Sequence, residues 1–304
     1  MNLQFITAAT SQTGRGHVYR TIALAQEMKK RKHEVHIVTT SNTVGEKVVR
    51  ALAPNLQDAF LYGSVDYYVL DIPGPHHYVP HAESTVYLDW AGDEAYDGAG
   101  VRDCVLKVCQ GVPFRETNTN DVLTGFEYAI LWPDVVEYRG WERRKQIFFY
   151  SSQRNELTDK VLGLLQSTGI EIVQPQPTGC KRATEELAAS AIAVTFGGMT
   201  CLEACCLGIP QVAISTGPKH ELQIRELDAY DAVWDVSSQR LDLMLDAVCA
   251  ILDSWQQTGQ IYANMSKAGM RCVDGKGVYR VADIIEQLAL SVEKNEFSAY
   301  LAKE

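Results

Sequence analysis

Thr13-Gly14-Arg15-Gly16-His17-Val18-Tyr19-Arg20 is the stretch on which the reading of this chain turns. An apolar run, Leu3 to Ala9, leads into it, and a helical pattern, Thr21 to Lys32, leads out. A strand, a tight glycine turn and a helix start bring free backbone N–H groups and the positive end of a helix dipole to one spot. A histidine there can take a proton from something bound. The stretch points to an enzyme handling an anionic, phosphorylated substrate. It is not the dinucleotide fingerprint, because Arg20 stands where a third glycine is needed, and it is not a Walker A loop. The competing reading is a plain strand-to-helix turn with His17 on the surface beside the helix cap.

At 304 residues the chain has room for two domains. Apolar residues make up 46 % and charged residues 22 %, the balance of a soluble globular protein. No apolar run reaches the roughly 20 residues of a membrane helix. Met1-Asn2-Leu3-Gln4 carries neither a basic region nor a cleavage pattern, so the cytoplasm is the expected compartment. None of the eight cysteines forms a C-x-x-C pair, which argues against zinc and for free buried thiols. Cys201 and Cys205, four apart on an expected helix, suit a packed face. A net charge of −10 argues against bulk nucleic-acid binding, though a nucleic-acid acceptor stays open. The dense basic cluster of Arg139, Arg143, Arg144 and Lys145 reads as a solvated linker.

Outward from the opening stretch, strands and helices alternate. Strands are expected over residues 3–8, 34–39, 67–71 and 85–89, and the set is completed by 104–109 and 128–132. Helices are expected over 21–32 and 44–52, with a loop at 72–80 that carries His76 and His77. Asp71 and Asp89 end two strands, where they either face a ligand or cap a loop. After the linker, 133–145, a second series runs through strands 146–151, 170–174, 191–196 and 211–215 and helices 155–166, 184–190 and 199–207. From Leu241 the pattern is helical, ending with Val278–Val292. Two such blocks imply an α/β chain of two doubly wound parallel sheets meeting at an interdomain cleft. The expected domains are residues 1–140 and 145–304, with the last helices able to pack back on the first domain.

The second block repeats the opening pattern. The strand Ala191–Phe196 runs into Gly197-Gly198-Met199-Thr200, and Glu203 follows one helical turn after Thr200. The helix start suits a diphosphate, and the Glu203 carboxylate suits ribose hydroxyls. Alternatively, Thr200 and Glu203 are a local capping pair.

Three elements together resemble the GT-B glycosyltransferase superfamily. They are Gly14-x-Gly16-His17-x-x-Arg20 with Ala23-Leu24-Ala25; Gly125-Phe126-Glu127-Tyr128-Ala129-Ile130-Leu131 with Trp132-Pro133-Asp134; and Gly197-Gly198-Met199-Thr200-x-x-Glu203 with Leu207-Gly208-Ile209-Pro210. They span residues 3–225. Within the superfamily the chain looks most like the UDP-sugar hydrolases of pseudaminic acid biosynthesis and their spore-coat polysaccharide relatives. It is more distantly similar to the N-acetylglucosaminyltransferases that build the peptidoglycan precursor. The resemblance implies His17 as catalytic base on a loop shaped by Gly14 and Gly16. It implies a nucleotide-sugar set of Gly14, Gly16, Arg20, Gly197, Gly198, Met199, Thr200, Glu203 and Gln223, and a structural position for Tyr128. It implies a nucleotide-sugar donor, a small-molecule or glycan acceptor, and no required metal or other cofactor.

The chain departs from the hydrolase pattern in two places. Tyr150-Ser151-Ser152-Gln153-Arg154-Asn155 replaces a Gly-Gly-Ser/Thr-Asp element, and Asp89 is followed by Trp90 rather than a second aspartate. Transfer to an acceptor hydroxyl with inversion is therefore the first reading, hydrolysis the second, and a non-catalytic nucleotide-sugar-binding subunit the third. An oxidoreductase fits poorly, because the second strand ends Val38-Thr39-Thr40 with no acidic residue for a ribose.

Overall fold

The computed structural model describes residues 1–8, 15–40, 43–56, 65–72, 82–88, 104–110, 121–151, 154–175, 180–236, 241, 243–257 and 259–292. The chain forms two compact units, Met1–Trp132 with Lys276–Glu304, and Pro133–Gly275.

The first unit begins with β1 (Asn2–Thr7), α1 (Gly16–Lys30), β2 (Glu34–Thr39) and α2 (Thr43–Leu52). Strands β3 (Tyr67–Asp71), β4 (Thr85–Tyr87), β5 (Leu106–Cys109) and β6 (Val122–Thr124) follow. They form one sheet in the order β2-β1-β3-β4-β5-β6, with every pairing parallel. Both faces of a parallel sheet are covered, so its strands read as near-continuous apolar runs. Tyr67–Asp71 is buried at every position. Helix α1 lays Val18, Ile22, Ala25 and Met28 into the same core as Leu3 and Phe5 of β1 and Val69 of β3. Its last turn carries Lys29 and Lys30, favourable at the negative end of the helix dipole.

One expected strand is absent. Tyr128 closes a 3-10 turn, Phe126–Tyr128, residues 129–132 have no regular structure, and the sixth strand is instead Val122–Thr124. The apolar run at 129–131 is buried for another reason. Its backbone is held by a side chain, since Ile130 N donates to Gln110 Oε1 at 2.9 Å while Gln110 Nε2 donates to Leu88 O at 3.0 Å.

The second unit opens with a 3-10 helix, Pro133–Tyr138, where an irregular linker was expected. Then come β7 (Arg144–Phe149), α3 (Glu156–Gln166), β8 (Glu171–Val173), α4 (Cys180–Ala188), β9 (Ser190–Thr195) and α5 (Gly198–Leu207). Strand β10 (Gln211–Ala213), α6 (Pro218–Ala229), β11 (Trp234–Asp235), α7 (Met244–Gln256) and α8 (Gln260–Cys272) complete it. Its sheet is also parallel, in the order β11-β10-β9-β7-β8. Asn155 and Thr158 form a reciprocal capping box at the start of α3. Cys201 and Cys205 are buried free thiols.

The basic cluster is not the solvated stretch expected. Arg139 donates to Cys206 O at 2.6 Å, Val273 O at 3.3 Å and Asp274 O at 3.0 Å. It thereby satisfies carbonyls at the ends of α5 and α8 that lack a partner in the next turn. Arg143 donates to Leu207 O at 3.1 Å and to the Tyr262 hydroxyl. Only Arg144 and Lys145 of the four are exposed. Trp141 packs edge-on against Tyr138, with ring centroids 4.8 Å apart.

Helix α9 (Gly277–Val292) belongs to the first unit, where Val278, Val281, Ala282, Ile285 and Leu288 join its core. Arg31 of the α1 C-cap donates to Asp283 at 2.6 Å and Glu286 at 2.8 Å. The start of α9 lies against the 3-10 segment so closely that a Cβ on Gly277 would be 2.3 Å from Ala129 O. Backbone cannot yield as a flexible side chain can. Gly277→Ala is therefore expected to cost about 1–3 kcal/mol or more. Urea denaturation checks this, and an unchanged midpoint would show that the helix start can move.

Candidate functional site

Two places carry chemistry, one in each unit. In the first unit the chain runs from β1 outward to β2, then crosses to β3 on the other side of β1. Ligands of doubly wound sheets bind at the carboxyl ends of strands where the order reverses in this way. Thr7 and Asp71 end β1 and β3 as register partners, and Thr7 Oγ1 donates to Asp71 O at 3.1 Å. Helix α1 starts from the loop after β1 and carries His17 in its first turn.

His17, Arg20 and Asp71 form one cluster. The Asp71 side chain is fully buried, Arg20 is 7 % exposed and His17 12 % exposed. Arg20 donates from Nε to Asp71 Oδ2 at 2.6 Å and from Nη2 to Oδ1 at 2.5 Å, a two-pronged pair. Thr21 Oγ1 adds a longer contact to Oδ2 at 3.3 Å. Burial opposes ionisation of this carboxyl, but Arg20 and then His17 outweigh it and hold the Asp71 carboxyl below its ordinary value.

His17 Nδ1 lies 2.8 Å from Asp71 Oδ1 and 2.8 Å from Arg20 Nη2, so it donates to the carboxylate in one tautomer and accepts from the guanidinium in the other. With the proton on Nδ1 it donates to Oδ1, and Nε2 is left as an acceptor with no hydrogen bond to any described residue. A base whose second nitrogen is oriented by a buried carboxylate is the usual geometry of histidine general bases.

In the second unit the order reverses between β7 and β9, and α5 starts from the end of β9. Gly197 and Gly198 have φ of +77° and +70°, a backbone that other residues rarely adopt. A Cβ on Gly197 would also lie 2.9 Å from His220 Cβ. Gly198 N donates to Gln223 Oε1 at 2.6 Å, so α6 caps the start of α5. The amides of Met199 and Thr200 belong to the first turn, which has no acceptor one turn earlier. No side chain caps the helix from its Gly197 N-cap, so Thr200 and Glu203 do not form the capping pair considered above.

Glu203 has no hydrogen bond to any described residue. It is half-buried overall, yet burial of its carboxyl pushes it up to about 7 from an ordinary 4.5. A raised folded value means the folded state holds a proton that the unfolded state has released. Stability is thus full below about pH 4.5 and falls by up to about 3 kcal/mol as pH rises through 7. Glu203→Gln is expected to leave stability unchanged at pH 4 and raise it at pH 8. Equal stability of both proteins at pH 8 would refute a desolvated carboxyl.

The structure thus brings His17 and Arg20 together with Asp71, and Gly197, Gly198, Met199 and Thr200 together with Gln223 and His220. Glu203 lies further along α5. Arg20, expected among nucleotide-sugar residues, directs its guanidinium to Asp71. Gly16 begins α1, and Tyr128 packs beside the first core. Gly14, His76, His77 and Asp89 lie outside the described residues. His220 was missed as an individual residue, and its only sequence signal is that it precedes Gln223 by one helical turn. Among the described residues no group of three or more His, Cys, Asp or Glu could hold a metal ion, and no helix is long and apolar enough to cross a membrane.

No protein-family profile matches the sequence, and no curated protein matches it. Solved structures do. The structure of MurG from Acinetobacter baumannii superposes with a TM-score of 0.61 at 12 % identity, covering 94 % of this chain and 100 % of that one. The glycosyltransferase VinC, solved in complex with dTDP, gives 0.57 at 11 % identity over 95 % and 99 %. A UDP-N-acetylglucosamine 2-epimerase gives 0.57 at 10 % identity over 100 % and 97 %. Together with the two parallel sheets, these likenesses establish the GT-B fold of two Rossmann-like units.

Proposed function

We propose that the protein is an inverting glycosyltransferase that moves a sugar from a nucleoside diphosphate, UDP first among them, to an acceptor hydroxyl. The observation that carries this reading is His17 at the switch point of the first unit, with Nδ1 on Asp71 and Nε2 unengaged. The fold supports it, since structures sharing that fold are described as glycosyltransferases, one of them with dTDP bound.

In the reaction, His17 Nε2 takes the proton of the acceptor hydroxyl as its oxygen attacks the anomeric carbon. The bond from that carbon to the diphosphate oxygen breaks, and the electron pair leaves with the nucleotide. Attack opposite the leaving group inverts the centre. The imidazolium formed is stabilised by Asp71, which Arg20 keeps ionised. The leaving diphosphate is held by the first-turn amides of α5, fixed dipoles that need no reorganisation as charge develops. Glu203 accepts from the ribose hydroxyls.

Incubation with UDP-, dTDP-, GDP- and CMP-sugars, with and without an acceptor panel, tests this. Transfer predicts that one donor is consumed only when its acceptor is present. Release of free sugar regardless of acceptor would replace transfer by hydrolysis, the reading that the residues around His17 also resemble. Binding of a donor with no turnover across the acceptor panel would favour the non-catalytic subunit.

A further inference from the structure

Two opposite charges meet the His17 imidazole at the same distance. Its Nδ1 lies 2.8 Å from Asp71 Oδ1 and 2.8 Å from Arg20 Nη2. Arg20 is held in place. Its side chain is 7 % exposed, and its Nε and Nη2 both bond the Asp71 carboxylate, at 2.6 and 2.5 Å. Asp71 comes from the end of β3, and Arg20 from the turn of α1 that follows His17. The cluster is thus fixed by the strand order and the helix.

A histidine beside a carboxylate alone is favoured in its charged form, because an opposite charge within about 4–6 Å stabilises it. Such a histidine already carries the proton and cannot take one from a hydroxyl. Here the carboxylate is not alone. Coulomb energy depends on separation, so a cation and an anion equally far from Nδ1 largely offset one another at the ring, whatever the local dielectric. The positive end of the α1 dipole and Arg15 at the N-cap act in the same sense as Arg20. Thr7, at the end of β1, and Thr21, on α1, reach Asp71 through hydroxyls and bring no charge.

We propose that Arg20 is a positioning residue that offsets the Asp71 charge at His17, so that the imidazole meets the acceptor hydroxyl as a neutral base while the carboxylate still orients its ring. The inference rests on the reading of His17 as the base. Asp71 alone would orient the ring and hold it protonated. Arg20 alone would repel the proton that the ring must accept. With Arg20 on the carboxylate, Oδ1 still accepts from Nδ1–H, and the net charge beside the ring is near zero. The role needs no contact between Arg20 and the nucleotide sugar.

The test follows the protonation of His17 itself, by NMR of the imidazole ring protons against pH in the full-length protein. Loss of one signal in His17→Ala identifies it. Arg20→Met removes the guanidinium and keeps a long unbranched side chain, and the His17 midpoint is expected to rise by about 1–3 pH units. Asp71→Asn leaves the Arg20 charge, and the midpoint is expected to fall by about as much. The double variant Arg20→Met, Asp71→Asn strands neither charge and is expected to titrate with wild type. The acid limb of the kcat/KM profile is expected to move with the midpoint in each variant. An unmoved midpoint in Arg20→Met, or a double variant that titrates with Asp71→Asn, would overturn the role and reduce Arg20 to a structural partner of Asp71. The comparison of double variant and Asp71→Asn decides the matter where Arg20→Met alone does not fold. These titrations do not depend on turnover. Turnover that survives His17→Ala would end the parent reading whatever the titrations show.

Discussion

Asp71→Ala is expected to cost the protein about 3–5 kcal/mol of stability, because it leaves the Arg20 guanidinium buried without its counter-charge. A surface ion pair would be worth far less, about 0–1 kcal/mol. The difference lies in burial, since neither side chain can be rescued by water where it stands. The same change removes the only carboxylate on His17 Nδ1 among the described residues, so turnover is expected to fall by about two to four orders of magnitude even in molecules that remain folded. Asp71→Asn separates the two effects. It keeps the volume and an oxygen that can still meet both Arg20 Nη2 and His17 Nδ1, but it loses the charge and sets an amide NH2 against Arg20 Nε, so it is expected to lose less stability than Asp71→Ala and nearly as much turnover. Urea denaturation and single-turnover kinetics on the same samples check both.

The pH dependence has a defined sign. The Asp71 carboxyl is held below its ordinary value, so its pairing contributes fully above the ordinary carboxyl value of 3.8 and fades only as pH falls through the lower folded one. Wild type and Asp71→Ala are expected to converge in stability only in strong acid. Convergence already near pH 5 would contradict the buried pair.

Asp71 also shows how far the sequence could be read. The alternation of strands and helices was plain, because buried parallel strands such as Tyr67–Asp71 and Ser190–Thr195 are apolar throughout and glycine turns separate them from helices. The partnership of His17 and Asp71 was not plain. They are separated by 54 residues, and only the strand order places the ends of β1 and β3 side by side. The sequence left Asp71 equally suited to capping a loop. Given a doubly wound sheet, the end of the strand across the switch point is the position to inspect.

Arg139 and Arg143 failed for a related reason. A cluster of basic residues without a regular period reads as solvent-exposed, but their acceptors are backbone carbonyls of Cys206, Leu207, Val273 and Asp274, far away in the chain. Residues 128–132 misled through their apolarity, which serves a buried turn held by Gln110 rather than a sheet ladder. Gly197 and Gly198 were legible as a site where backbone approaches a ligand, yet the ring of His220 over them was not, because helix α6 has no strong periodic signature of its own.

His17→Ala carries the second large effect and the central claim. His17 meets Asp71 and Arg20 of its own unit, and its ring is only slightly exposed beside Asp71. Removing it leaves Asp71 paired with Arg20, so the fold is expected to persist with a loss of at most about 1–2 kcal/mol. What disappears is the group proposed as proton acceptor. The decisive measurement is kcat for sugar transfer beside Kd for the nucleotide in wild type and His17→Ala. With His17 as the base, kcat is expected to fall by about a hundredfold to ten-thousandfold with Kd unchanged. Turnover that survives the substitution, or nucleotide binding that is lost with it, would contradict His17 as the base.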